Sequence, residues 1–172
     1  MLMAFWEVQR LTREIHQLEY RAITVRNKLE RYQKYAGVLG GSTTNSLNAL
    51  NVAGLPPELR MRATVFSQYA NQASSMSAMQ NLQMAKMSGM VPVLGSPQQQ
   101  YMYEWSAFNM YKQESMKALK QQETAMLNEM EAEIQLELND IETRLKMKRA
   151  SLESCKQLLS EQAKDSAPKF GL

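Results

Sequence analysis

The run SPQQQYMYEWSAFNMYKQESMKALKQQETAMLNEMEAEIQLELNDIETRLKMKRASLESCKQLLSEQAKDSA, Ser96 to Ala167, decides the fold. Ser96 supplies a capping hydroxyl and Pro97 occupies the first helical position, and neither Gly nor Pro recurs before Pro168. At ~1.5 Å per residue, an unbroken helix over this run is about 100 Å long. No domain of this size buries a single helix face over such a distance, so the helix requires other helices along its length.

Its apolar positions show where those contacts fall. Leu127, Met130, Ile134, Leu138, Ile141, Leu145, Leu152, Cys155 and Leu159 follow steps of three and four, with Lys148 completing the series. The steps from Leu127 to Leu138 form an eleven-residue unit, which relaxes a left-handed supercoil before heptad spacing resumes. The N-terminal segment is more regular. Ala4, Val8, Leu11, Ile15, Leu18, Ala22, Val25, Leu29, Tyr32 and Ala36 alternate steps of four and three without exception. This pattern predicts a heptad helix over 4–36, ending near Gly37 and the Gly40-Gly41 pair.

These two segments predict an all-α fold, a long antiparallel coiled-coil helical hairpin with a small Met/Gln/Ser-rich helical head. The chain divides into a heptad helix at 4–36, a loop and head at 37–97, a long helix at 97–167 and a tail at 168–172, all within one elongated domain. The expected seam comprises Val8, Leu11, Ile15, Leu18, Val25 and Leu29 on one helix, with Ile134, Leu138, Ile141, Leu145, Leu152 and Leu159 on the other. Charge agrees with the pairing. Residues 1–36 carry a net +3, whereas Glu129, Glu131, Glu133, Glu137, Asp140 and Glu142 form a block uninterrupted by a base. Apposing Arg21, Arg26, Lys28, Arg31 and Lys34 with that block selects register, since each exposed pair contributes only ~0–1 kcal/mol.

The middle of the chain has the unusual composition. Gly40 to Gly54 reads as loop, with one helical turn expected at Ser46 to Asn51, and Pro56-Pro57-Glu58 begins a helix in which Leu59, Ala63, Phe66, Ala70 and Ala73 share a face. From Ala63 to Tyr103 only Lys86 is charged. Soluble surfaces carry charge at about every fourth position, so this stretch is expected to be covered by protein. Roughly half of its methionines are expected to form a local core beneath Tyr101, Met102, Trp105, Phe108 and Tyr111. The remainder face a neighbour, using the adaptability of the thioether side chain. The candidate interface residues are Phe66, Tyr69, Met76, Met79, Met84, Met87, Met90, Trp105 and Phe170, the last on the C-terminal tail.

Raw material for catalysis is sparse. His16 falls on the outward side of the heptad, three residues from Glu19, with no nucleophile near it in sequence, and Cys155 lies in the apolar seam. No phosphate loop, dinucleotide fingerprint or zincin motif is present. The Met76-x-x-Met79 and Met84-x-x-Met87 spacings suit Cu(I), but three residues is also the packing period of a helix. We therefore expect no enzyme, cofactor, metal or small-molecule substrate. Arg144, Lys146, Lys148 and Arg149 spread around the helix, and residues 104–172 carry a net −2, which disfavours nucleic acid. Met1 to Trp6 is too short for the apolar core of a Sec signal and has no basic residue ahead of it. No window nears the ~18 apolar residues of a transmembrane helix, so a cytoplasmic location or membership of a large assembly is expected. Leu2, Met3, Phe5 and Trp6, with Arg10 and Arg13, leave room for peripheral membrane contact.

The layout of two long helices around a shorter head resembles the coiled-coil hairpin stalk and adaptor proteins of secretion and flagellar export machines, and the helical subunits of filaments and viral assemblies. The resemblance is one of architecture and carries no site residue. It implies a structural or assembly protein that self-associates or docks in a larger complex. The alternative is a chaperone or adaptor that captures a client helix on its Met-rich head.

Overall fold

The computed structural model describes residues 2–41 and 53–166. These form three helices and no strand: α1 (Leu2–Gly41), α2 (Pro57–Met87) and α3 (Pro97–Ser166). The helical turn expected at Ser46 to Asn51 and the tail at 168–172 lie outside the described residues. Helix α1 departs from its expected end by running through Gly37 to Gly41. Glycine weakens a helix by about 1 kcal/mol, but Leu39 beyond it is buried, and that packing outweighs the local preference.

The chain forms two compact units. One comprises Met1–Glu30 and Ala132–Leu172, the other Arg31–Glu131. In the first, Leu11, Ile15, Ala22 and Val25 of α1 are buried, as are Ile134, Leu138, Ile141 and Leu145 of α3. Lys148 Nζ lies 2.6 Å from a Glu14 carboxylate oxygen, Arg149 2.6 Å from Glu19, Arg26 3.0 Å from Glu142, and Arg21 2.7 Å from Glu137. Glu14 and Glu19 of α1 thus meet residues 148 and 149 of α3, whereas Arg21 and Arg26, further along α1, meet the earlier residues 137 and 142, so the two segments run in opposite directions. Val8, Leu18, Leu29, Leu152 and Leu159 are only half-buried, as expected where two helices alone share a seam.

The same ion pairs make this unit sensitive to acid. A hydrogen bond from Lys148 holds the Glu14 carboxyl below its ordinary value of 4.5, and one from Arg149, aided by His16, does the same for Glu19. A depressed folded-state value stabilises the fold above the ordinary value and is lost as pH falls through the depressed one. The urea midpoint of the wild-type chain is therefore expected to fall between pH 6 and pH 3. The decline should be smaller in Glu14→Gln/Glu19→Gln, measured by circular dichroism at both pH values.

In the second unit three helical segments meet. Tyr35 and Leu39 of α1, Leu55 just ahead of α2, Leu59 and Ala63 in the first turns of α2, and Leu127 of α3 form a buried cluster, with Tyr32, Ala36, Val38 and Phe66 against it. The heptad register places Tyr32 and Ala36 at the centre, whereas Tyr35 is the fully buried aromatic. The reason is the third helix. Arg62 of α2 lies over the Tyr35 ring at 5.9 Å and bonds Glu123 at 2.8 Å, while the Tyr35 hydroxyl donates to the same carboxylate at 3.2 Å. Burial, and then the Glu123 charge, push the Tyr35 phenol well above its ordinary range, so it remains a donor. This polar triad ties one residue from each helix and fixes the rotation of α2 about its axis.

Beyond the cluster, α2 and α3 run in opposite directions. Ser115 Oγ donates to Ser77 Oγ at 3.0 Å, and Lys86 Nζ meets Glu104 at 2.6 Å. Helix α2 ends in a Schellman turn. Gly89, at φ +73°, donates to the Lys86 carbonyl, and Met90 N–H donates to the Ala85 carbonyl at 3.0 Å. Only glycine enters that left-handed conformation without steric cost. The chain then returns through Leu94, whose N–H is held by the Gln100 side chain, and Gln100 in turn donates to Glu104.

Candidate interaction surface

Helix α2 has two contrasting faces. Its buried side is Leu59, Ala63, Ala70, Ser74, Ala78 and Ala85. Apart from Leu59 these are small residues, which allow helix axes to approach closely. Ser74 is fully enclosed yet satisfied, its hydroxyl donating to the Asn71 carbonyl at 3.1 Å in its own helix. Large side chains cannot occupy this face without separating the helices, so they point elsewhere.

They point to solvent. Tyr69, Met76, Met79 and Met84 are each 60% exposed, Met90 76% and Met87 89%. The expectation that about half of the methionines form local core is thus corrected: all five of Met76, Met79, Met84, Met87 and Met90 are exposed, and alanine and serine fill the core. Phe66 is half-buried and packs against the buried cluster. Trp105 is 55% exposed and stacks on Phe108 with ring centroids 5.9 Å apart. Phe170 lies outside the described residues.

The exposed set extends further than composition alone suggested. Met61 and Val65 are exposed at 72% and 59%. At ~100° per residue, Met61, Val65, Tyr69, Gln72, Met76, Met79, Gln83 and Met87 fall within about 80° of one another, opposite the alanine face. Stepping backwards from Met79 in threes and fours would have found the first two, since they lie on the same stripe.

The other sequence candidates separate by unit. Of the expected seam, Leu11, Ile15, Val25, Ile134, Leu138, Ile141 and Leu145 are the buried members. Arg144 bonds Asp140 at 2.9 Å, so three of the four bases in the basic cluster are ion-paired with acids. The groove formed by Glu14, Gln17, Leu18, Arg21, Arg144, Met147 and Lys148 is lined by these neutralised charges. His16 is exposed, with Nδ1 3.3 Å from Glu19. Cys155 is a half-buried free thiol. Among the described residues no grouping of three His, Cys, Asp or Glu is arranged to hold a metal ion, and no helix is long and apolar enough to cross a membrane. Met3, Phe5 and Trp6 are exposed on α1.

No protein-family model, curated protein or solved structure matches the chain. The exposed stripe of α2 is therefore interpreted from its own chemistry.

Proposed function

We propose that the chain is a non-enzymatic structural or assembly component, an antiparallel coiled-coil hairpin whose Met/Gln/Ser-rich helical head joins it to other protein. The observation that carries this reading is the outward row of methionines, valine and tyrosine on α2. An exposed row of that length, apolar apart from Gln72 and Gln83 and carried on a helix whose opposite face is already buried, supports a protein contact. The ion pairs and apolar residues of the Met1–Glu30, Ala132–Leu172 unit support the hairpin. Neutralisation of its basic cluster supports a partner other than nucleic acid, whose binding depends on cations free to meet phosphate.

The Met-rich composition also favours a second reading, in which the stripe captures a client helix. Light scattering coupled to size exclusion separates the two. An assembly component is expected to give a defined oligomer or a growing filament as concentration rises from micromolar upward. A chain that stays monomeric throughout that range overturns the self-assembly reading in favour of client capture.

A further inference from the structure

We propose that the outer stripe of α2 pairs with the same stripe of a second copy of this chain, antiparallel and about a two-fold axis level with Ser74. This rests on the assembly reading and names its partner. The spacing of the stripe carries it. From Met61 to Met87 the steps are four, four, three, four, three, four and four, a series that reads the same in both directions. An antiparallel second copy centred at position 74 therefore sets Met61 level with Met87, Val65 with Gln83, Tyr69 with Met79, and Gln72 with Met76. Every layer of such a contact is filled from both sides.

Charge agrees with this occupant. A two-fold contact brings each residue near the axis toward its own copy, so any charge there meets a like charge. None of the stripe residues is charged, and the bases beside its ends, Arg60 and Arg62 next to Met61 and Lys86 next to Met87, lie about 18 Å or more along the helix from the axis, with Arg62 held by Glu123 and Lys86 by Glu104 within the chain. Gln72, whose amide carries donor and acceptor together, lies only about 6 Å along the helix from Gln72 of the second copy, within diagonal reach across the axis. A membrane surface fits less well, because interfacial helices carry bases along their whole length, whereas α2 has none between Arg62 and Lys86 and buries its other face against protein. Size is adequate too. Eight side chains along ~40 Å of helix, at roughly 100 Å² each, remove on the order of 1,200–1,600 Å² over both copies, the range of specific interfaces.

The test uses the full chain in sedimentation velocity across a wide concentration range, with circular dichroism as a folding control. Met76→Glu and Gln72→Lys each place like charges about the axis, and each is expected to weaken association at least 100-fold while leaving helicity unchanged. The double variant Gln72→Lys/Met76→Glu is expected to recover association, because the introduced ammonium of one copy is level with the introduced carboxylate of the other. Should Met76→Glu lose helicity, Met76→Gln provides the same reading with a smaller weakening. Wild-type self-association that all these variants retain overturns the stripe as the contact while leaving the assembly reading standing. A wild-type chain monomeric at every concentration overturns both, and so does one that floats with phosphatidylserine vesicles and never self-associates.

Discussion

Leu127→Ala is expected to lower the stability of the chain by about 3–5 kcal/mol, the largest loss from any single aliphatic truncation. Leu127 is fully enclosed, and its side chain fills the space among Tyr35, Leu39, Leu55, Leu59 and Ala63. Truncation loses the transfer free energy of the removed carbons and leaves a cavity that cannot close. The surrounding residues come from three separate helical segments, each held by other contacts, so relaxation in one direction opens a gap in another. Leu136 offers a control on the same helix. It is 69% exposed, so Leu136→Ala should change stability by no more than about 0.5 kcal/mol. Urea denaturation of both variants, followed by circular dichroism, checks the pair. Equal midpoints would show that the three-segment cluster is not the core of its unit.

Removing the guanidinium at position 62 is the second large effect. Arg62→Ala leaves the Glu123 carboxylate, itself only 11% exposed, facing the Tyr35 hydroxyl without its cation. Complete burial would cost about 3–5 kcal/mol, and the partial exposure of the Arg62 side chain, 29%, reduces this to roughly 2–4 kcal/mol. The double variant Arg62→Met/Glu123→Gln replaces both charges and is expected to recover most of the loss, since removing a whole buried pair is far less harmful than stranding one member. A double-mutant cycle built from Arg62→Met, Glu123→Gln and the combination should yield a coupling of at least about 1 kcal/mol. Additive behaviour would mean that the pair contributes no mutual stabilisation and that α2 is oriented by apolar packing alone.

The rotation of α2 links this stability to function. Whichever side of the helix turns inward, the opposite side is the one the proposed partner would meet. Arg62 is locked to Glu123 and Tyr35 near the start of the helix, and Lys86 to Glu104 near its end. Between these two points the alanine and serine face is pressed on α3, so Met76 and Met79 stay outside. A variant that frees Arg62 loosens one end of this arrangement.

The helices themselves were legible in the sequence. Heptad spacing from Ala4 to Ala36, the proline starts at Pro57 and Pro97, and the absence of Gly or Pro from Gln98 to Ala167 are local signals, because backbone dihedrals and i to i+4 hydrogen bonds depend mainly on neighbours within a turn or two. The charge-poor stretch from Ala63 to Tyr103 was visible as composition, and it includes most of the exposed apolar side chains of α2. Composition could not say which side of that region turns inward. By hydrophobicity, methionine and tyrosine outrank alanine and serine as core formers, yet Ala63, Ala70, Ser74 and Ala78 are buried while Tyr69, Met76 and Met79 are exposed. Close approach of α2 and α3 admits only small side chains between them, and this distance is set by pairs such as Arg62 with Glu123 and Ser77 with Ser115, some 61 and 38 residues apart in the chain. The extension of α1 through Gly37 and the burial of Tyr35 in place of Tyr32 have the same origin, the arrival of a third helix whose contacts no local pattern records. Sequence by itself determined which three segments of this chain are helical, short of the last turn of α1, and where the chain lacks charge. Tertiary packing alone decided which face of α2 the chain keeps and which it presents, because burial depends on the partner as well as on the residue.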